Sequence, residues 1–193
     1  MTYEEQKQEL VKLIDKSEHI VFFGGAGVST ESGIPDFRSK DGLYNQHDVQ
    51  FDAYSPEYLL SHSCLHHNPK VFFEFYRQKL DGRGVEPNIT HIVLAELEKL
   101  GKNIDIVTQN IDGLHQLAGS KTVYEIHGTT QRNYCIECGK EYSADYIFEC
   151  EEDIPRCDCF MHGMIRPDVI LYEEGLPVNA VSDSISAICK ADT

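Results

Sequence analysis

The sequence lacks any apolar run long enough to cross a bilayer. It also lacks the basic start followed by an apolar segment that marks a signal peptide. We therefore predict a cytoplasmic protein with no membrane partner. Thiols stay reduced in that compartment, so the seven cysteines need another explanation. Their number is odd and their spacing is clustered, which favours metal binding over disulfides.

Basic residues are scarce as well. Seventeen Lys and Arg stand against 32 Asp and Glu, which gives a formal charge of -15. Contacts to phosphate backbones need clustered Lys and Arg, so this balance argues against a nucleic-acid partner. The negative charge suits a basic partner such as a lysine-rich peptide, although solubility alone is the simpler explanation.

Short apolar segments alternate with helical patterns along most of the 193 residues. Apolar runs predict strands at residues 19–23, 104–108, 122–126 and 168–172. Apolar periodicity predicts helices at residues 3–16, 69–80, 88–100 and 178–190. This alternation indicates an α/β fold with a doubly wound, parallel, Rossmann-like sheet.

Residues 129–165 lose this periodicity and hold most of the cysteines. We predict a small inserted zinc-binding module there. The remaining residues, 1–128 and 166–193, would form the Rossmann-like domain, incomplete at its C-terminal end.

Two close cysteine pairs lie in the predicted module. Four thiolates on two turns make a closed tetrahedral zinc site with no open position for chemistry, so the metal would be structural. Cys150 and His162 remain alternative fourth ligands. The predicted ligands are Cys135, Cys138, Cys157 and Cys159.

A glycine-rich segment, residues 24–33 (GGAGVSTESG), follows the first predicted strand. Small residues let backbone N–H groups approach a pyrophosphate, and the N-terminus of a following helix would favour its charge. A tight strand-to-helix turn is the alternative. The acid Asp36 comes next, followed by Phe37 and Arg38. The aromatic ring of Phe37 could cover a flat ring of a ligand, and the guanidinium of Arg38 could pair with phosphate. As isolated residues they could equally be a salt bridge and a core Phe.

Five segments together resemble the motifs of the sirtuins, in the family's order. They are residues 25–29 (GAGVS), 33–38 (GIPDFR), 108–112 (TQNID), 127–128 (HG) and 165–170 (IRPDVI). Sirtuins are NAD-dependent protein lysine deacylases. The resemblance, closest to bacterial members, implies a deacetylase that acts on acetyl-lysine proteins or peptides. Its products would be nicotinamide, 2′-O-acetyl-ADP-ribose and deacetylated lysine.

The resemblance also implies roles for particular residues. His127 would be the general base, while Asn110 and Asp112 would fix ribose, water and carboxamide by hydrogen bonds. All three follow predicted strand ends, where ligands bind in open α/β folds, so they can converge. Val169 would lie along the acyl-lysine channel. The implied NAD-binding residues are Gly25, Ala26, Gly27, Thr30, Asp36, Phe37, Arg38, Gln109, Asn110, Ile111, Asp112 and His127.

The sequence departs from the commonest family pattern around the cysteines. The second pair has one spacer residue, as in some bacterial sirtuins, and residues 160–164 form a longer link than usual. Cys64 and Cys189 lie far from the pairs on predicted helices, and we expect both to be small buried hydrophobic residues.

The helix predicted at residues 69–80 indicates which acyl group the protein would remove. Sirtuins that prefer succinyl or malonyl groups resemble one another in carrying a Tyr and an Arg three residues apart. Here Tyr76 is followed by Lys79 at that spacing. The pattern favours acetyl or another uncharged acyl group.

The family domain continues with a strand that bears a Gly-Thr-Ser turn and with an Asn-bearing loop, and this chain ends where that strand would begin. We expect the 193-residue chain to bind NAD weakly and to be poorly active or inactive. The alternatives are a non-catalytic remnant that binds acetyl-peptide or a partner, and a mono-ADP-ribosyltransferase. No feature of the sequence sets the oligomeric state.

Overall fold

A three-stranded parallel sheet forms one half of the fold. The structure is a computed structural model that describes residues 1–46 and 48–193. The sheet has the order β1 (His19–Gly24), β2 (Asn103–Thr108) and β3 (Thr122–Glu125). Its register pairs Gly24 with Thr108, and Thr108 with Glu125. The three carboxyl ends therefore lie side by side, which confirms the predicted parallel α/β sheet.

Four helices accompany the parallel sheet. They are α1 (Tyr3–Lys16), α5 (Ile89–Lys99), α6 (Leu114–Ala118) and α8 (Val178–Lys190). Helix α5 shows why the helix prediction succeeded: the Asn88 side chain accepts the N–H of Thr90 at its start, and Gly101 takes φ +96° just after its end. Helix α5 packs on β2, and α8 packs on β1 and β3.

A second, antiparallel sheet has the order β5 (Glu141–Ser143), β4 (Gly128–Cys135) and β6 (Ile165–Val169). The strand predicted at residues 168–172 is therefore wrong in both position and partner, because β6 starts earlier and pairs with β4. Residues 165–169 alternate between buried and partly exposed positions, as expected of a strand with one covered face. The more apolar run at residues 168–172 predicts a strand, but its Tyr172 forms only an isolated bridge.

The larger hydrophobic core joins the cysteine-bearing segment to three helices that lie before α5. These are α2 (Pro56–Leu59), α3 (His62–His67) and α4 (Pro69–Lys79). Phe72 and Tyr76 of α4 are fully buried and share one core with Ile165 of β6. Ile147, from α7 (Ala144–Phe148), joins the same core. The cysteine-bearing segment therefore shares a core with α2–α4 instead of building its own.

The two isolated cysteines differ. Cys64 is fully buried, which confirms its predicted role as a small hydrophobic residue. Cys189 is exposed, so that prediction is wrong for Cys189: it lies on the outward face of α8. Within the described part of the chain, no helix has the length and apolar character needed to span a membrane.

Candidate active site

The glycine-rich segment leaves β1 as two 3-10 turns, Ala26–Val28 and Thr30–Ser32. We expected an α-helix to begin here, and that expectation is wrong. Small polar residues bond to nearby backbone groups and favour turns over helix. The segment closes at Gly33, whose φ of +93° suits glycine.

Ser29 connects this segment to the loop after β2. It is 1% exposed, and its hydroxyl donates to Asp112 Oδ2 at 2.6 Å. The Ser29 hydroxyl oxygen also accepts from Asn110 Nδ2 at 2.9 Å, which fixes the orientation of that amide. Asp112 is held at its other oxygen too, because Oδ1 accepts the N–H of Leu114 at 2.9 Å. Sequence reasoning missed Ser29, although a serine within the glycine-rich segment was a signal for it.

His127 follows the end of β3 and is half-buried. Its Nδ1 lies 3.0 Å from the carbonyl oxygen of Gln109. A carbonyl only accepts, so Nδ1 carries a proton, and in the neutral ring the lone pair lies on Nε2. The next residue must be glycine: Gly128 has φ +74°, and a Cβ there would lie 2.0 Å from the carbonyl oxygen of Asp168.

Two adjoining cavities receive these side chains. His127 and Gln109 line a cavity of about 550 Å³ that Val169 also borders. Asn110 and Asp112 line a smaller cavity of about 120 Å³. The residues that border both cavities are Ala26, Phe37, Leu80 and Ile111. The structure thus brings the three predicted catalytic residues to neighbouring parts of one cleft.

The remaining predicted cofactor residues of the glycine segment lie outside the two cavity linings. A Cβ on Gly25 would come within 3.0 Å of Gln109 Oε1, so a larger residue would crowd that side chain. A Cβ on Gly27 would meet nothing within 4 Å. Thr30 is exposed, and its hydroxyl donates to the carbonyl of Gly27.

Asp36 organises a tight turn at the cleft. Its Oδ1 accepts the backbone N–H groups of Ser39 at 2.7 Å and Arg38 at 3.1 Å, and these bonds lower the pKa of Asp36. The Arg38 guanidinium is exposed and has no ion-pair partner among the described residues, so it can meet a phosphate. Gly42, which sequence reasoning missed, packs against this turn: its Cβ would lie 2.6 Å from Asp36 Oδ1 and 2.8 Å from the carbonyl carbon of Phe37.

Two hydrogen-bonded tyrosines form one part of the lining of the larger cavity. The hydroxyls of Tyr44 and Tyr172 lie 2.7 Å apart, and both residues border the cavity. Burial raises the pKa of Tyr44, and the hydrogen bond to Tyr172 adds to this effect. Phe37 meets the Tyr44 ring edge-on at 5.5 Å between centroids. An uncharged group therefore suits this end of the cavity.

The four predicted zinc ligands come together. Their sulfurs all lie within 4.8 Å of one another, with Cys135 to Cys159 at 3.9 Å and Cys138 to Cys157 at 3.7 Å. Four sulfurs around one zinc at 2.3 Å would be about 3.8 Å apart, so this donor set fits the metal. Among the described residues, the cluster of possible metal ligands contains neither of the two alternative ligands, Cys150 and His162.

Backbone groups support this sulfur cluster. The N–H groups of Glu137 and Cys159 donate to the sulfurs of Cys135 (3.4 Å) and Cys157 (3.3 Å), which fixes the positions of these two sulfurs. Gly163 lies so close that a Cβ would sit 2.6 Å from Cys135 Sγ. Sequence reasoning missed this glycine, because the contact joins residues far apart in the chain.

Comparison with known proteins shows the family to which the chain belongs. The Sir2 family model matches residues 25–193. NAD-dependent protein deacetylases from Clostridium acetobutylicum and Clostridium perfringens are 53% and 52% identical, each over 96% of this chain and 74% of its own length. A solved structure of Sir2 with a p53 peptide and NAD is 35% identical, with a TM-score of 0.80 over 95% of this chain and 72% of that one.

A second solved structure, Sir2 bound to acetylated peptide, is 34% identical. It has a TM-score of 0.80 and covers 95% of this chain and 71% of that one. Sequence, fold and the ordered motifs around the cleft all agree. The chain belongs to the Sir2 family, the sirtuins.

Proposed function

We propose that this protein is an NAD-dependent protein lysine deacetylase. It consumes NAD, removes acetyl groups from lysines of proteins or peptides, and gives nicotinamide and 2′-O-acetyl-ADP-ribose. The names of its relatives support this activity. The observation that carries it is the cleft in which His127, anchored through Nδ1 on the Gln109 carbonyl, adjoins Asn110 and Asp112. The fixed hydrogen bonds of these groups suit a site that orients reactants.

In this proposal the smaller cavity receives nicotinamide. NAD, when bound, supplies a nicotinamide–ribose bond whose leaving group departs as a neutral molecule. The Asn110 carboxamide orients ligand atoms, since Ser29 fixes its Nδ2 and leaves Oδ1 available. Asp112 gives the cavity its negative end. Phe37 and Ile111, which border both cavities, exclude water from the reacting atoms.

His127 would act as the general base in the larger cavity. Its Nδ1–H is anchored on the Gln109 carbonyl, so Nε2 is held in place to accept a proton from a ribose hydroxyl. The acyl-lysine would enter the same cavity past Val169.

The structure supports an uncharged acyl group. Lys79 is engaged elsewhere: its ammonium lies 3.6 Å from Asp48 and 3.5 Å from the side-chain oxygen of Gln46. The Tyr76 hydroxyl is buried in the core, where burial raises its pKa. Neither group is free to bind the carboxylate of a succinyl or malonyl group. This favours acetyl as the group that the protein removes.

The four-cysteine site would hold zinc in a structural role. The thiolates of the four cysteines complete a tetrahedral donor set and leave no position for substrate. We also propose that the protein works in the cytoplasm, which its free, closely spaced cysteines support, since thiols stay reduced there.

Mass spectrometry with an acetyl-lysine peptide tests the proposed reaction. We expect acetyl loss only when NAD is present, with nicotinamide and 2′-O-acetyl-ADP-ribose formed in equal amounts. ADP-ribose attached to protein would favour the transferase alternative. Peptide binding without any product would favour the non-catalytic alternative.

The affinity of the 193-residue chain for NAD is a separate proposal. This chain spans about 74% of the length of the clostridial relatives, and we propose that these residues alone bind NAD weakly and turn over slowly. Calorimetric titration of the 193-residue chain with NAD measures the affinity. Binding in the micromolar range would contradict this proposal.

A further inference from the structure

The segment after β6 holds a non-glycine residue in the left-handed region of backbone space. Glu173 has φ +75°, a conformation that crowds the Cβ of a residue other than glycine. Two hydrogen bonds hold it there. The N–H of Ser63 donates to Glu173 Oε2 at 2.9 Å, and the N–H of His62 donates to the carbonyl of Tyr172 at 3.0 Å. Backbone strain of this kind is concentrated at functional sites.

Glu173 lies where two cavities meet. It is exposed, and it borders the larger cavity that contains His127. It also borders a polar cavity of about 440 Å³, which Asp168 and Arg166 line as well. The residues common to both linings are Val169, Ile170, Glu173 and Glu174. A peptide whose modified lysine enters the larger cavity therefore has neighbouring residues close to Glu173.

Among the described residues, Glu173 has no Lys or Arg partner, in contrast to its acidic neighbours. Asp168 pairs with Arg132 at 2.8 Å, and Glu174 pairs with Arg166 at 2.7 Å. In the described part of the chain, Glu173 has no Lys or Arg within ion-pair distance. The hydrogen bonds from Ser63 lower the pKa of the Glu173 carboxyl, so it is ionised at neutral pH.

We propose that Glu173 selects acetyl-lysine segments that carry Lys or Arg beside the modified lysine. Its carboxylate would pair with that flanking cation at the mouth of the cavity. The inference rests on the proposed function, since it requires the acetyl-lysine side chain to enter the cavity of His127. An ion pair at an exposed site changes affinity by about threefold to fivefold.

Fluorescence anisotropy of labelled peptides tests the selection without requiring turnover. Two acetyl-lysine peptides differ only in carrying Arg or Gln beside the modified residue, and a third carries Gln and unmodified lysine. We expect the Arg peptide to bind about threefold to fivefold more tightly than its Gln counterpart, and high salt to reduce that ratio. Glu173→Gln keeps an oxygen for the N–H of Ser63 and should bring the ratio close to one.

Glu9→Gln on α1 is the matched control, because it removes the same charge from an exposed site that is distant from Glu173 in the sequence. It should keep the wild-type ratio. The proposal is overturned if Glu173→Gln retains the preference for Arg, or if Glu9→Gln loses it equally. Failure of the proposed function looks different: neither acetylated peptide would bind better than the unmodified one.

Discussion

At the residue scale, one hydroxyl sets the geometry of the smaller cavity. Ser29 belongs to the glycine-rich segment, while Asn110 and Asp112 belong to the loop after β2, and the Ser29 oxygen bonds to both. Two loops that follow different strands are thereby locked in one arrangement. The roles proposed for the amide and the carboxylate depend on that arrangement.

Ser29→Ala should therefore impair catalysis more than folding. The change removes one hydrogen bond to a carboxylate and one to an amide, and a bond to a charged group is worth about 1.5–3 kcal/mol. We expect the deacetylation rate to fall by about tenfold to a hundredfold, as measured by initial rates with an acetyl-lysine peptide. Ser182→Ala, at an exposed position on α8, should keep the wild-type rate. Equal rates for both variants would show that the bridge by Ser29 is unimportant.

At the element scale, the sulfur cluster and helix α4 depend on the same core. Cys135 and Cys157 are buried beside residues of α4, including Phe72. Metal lost from the cluster would therefore disturb more than the turns that carry the cysteines.

Cys138→Ser tests this coupling, because it removes one ligand at an exposed position of the cluster. We expect bound zinc to fall from about one per chain to near zero, and Tm to fall by about 10 °C or more. Elemental analysis and thermal unfolding measure the two effects. Cys189→Ser, also exposed but outside the cluster, should change neither. Full zinc content in Cys138→Ser would contradict the assigned ligand set.

Elements with strong local signals were predictable from the sequence. Helices α1 and α8 occupy the predicted ranges, and the apolar runs gave β1, β2 and β3 to within a residue or two. The short helices α2, α6 and α7 hold four or five residues each, too few to show a period of 3.6. The more apolar run at residues 168–172 predicts a strand in the wrong place, whereas the alternating residues 165–169 form β6.

The contacts of the site were less predictable than its motifs. The ordered motifs pointed to His127 and Asn110, and the spacing of the cysteines pointed to the four sulfur ligands. They gave no indication of Gly42 or Gly163, since these glycines are required by atoms distant along the chain. Close contacts between residues distant in the sequence depend on the tertiary structure, so they leave no local sequence pattern.

At the scale of the whole molecule, a pair of buried histidines links stability to pH. His91 and His115 are 0% and 1% exposed, with ring centroids 4.6 Å apart. Among the residues that the structure describes, neither ring nitrogen of His115 has a hydrogen-bond partner. Burial lowers the pKa of His115 to about 4, with a further contribution from His91. The folded protein therefore keeps His115 neutral.

We predict that this histidine makes the fold less stable in acid. The unfolded chain takes up the proton near the ordinary pKa of 6.5, whereas the folded chain does so only near pH 4. The unfolded state binds more protons between these values, so stability is complete above pH 6.5 and falls as pH drops towards 4. The loss from His115 is up to about 3 kcal/mol.

Urea unfolding between pH 7 and pH 4.5 measures this effect. His115→Leu, which removes the titrating group from an apolar site, should flatten the dependence of the unfolding free energy on pH. His66→Leu, at an exposed imidazole, should leave that dependence unchanged. The same slope in wild type and His115→Leu would show that His115 does not set the acid sensitivity.

The cleft as a whole is tested most directly by NAD-dependent deacetylation in wild type and in His127→Ala, followed by mass spectrometry of the peptide and of nicotinamide. We predict that the wild-type chain removes acetyl groups, however slowly, and that His127→Ala forms no detectable deacetylated peptide while it keeps the wild-type melting temperature. Deacetylation by His127→Ala at the wild-type rate would contradict the proposed mechanism.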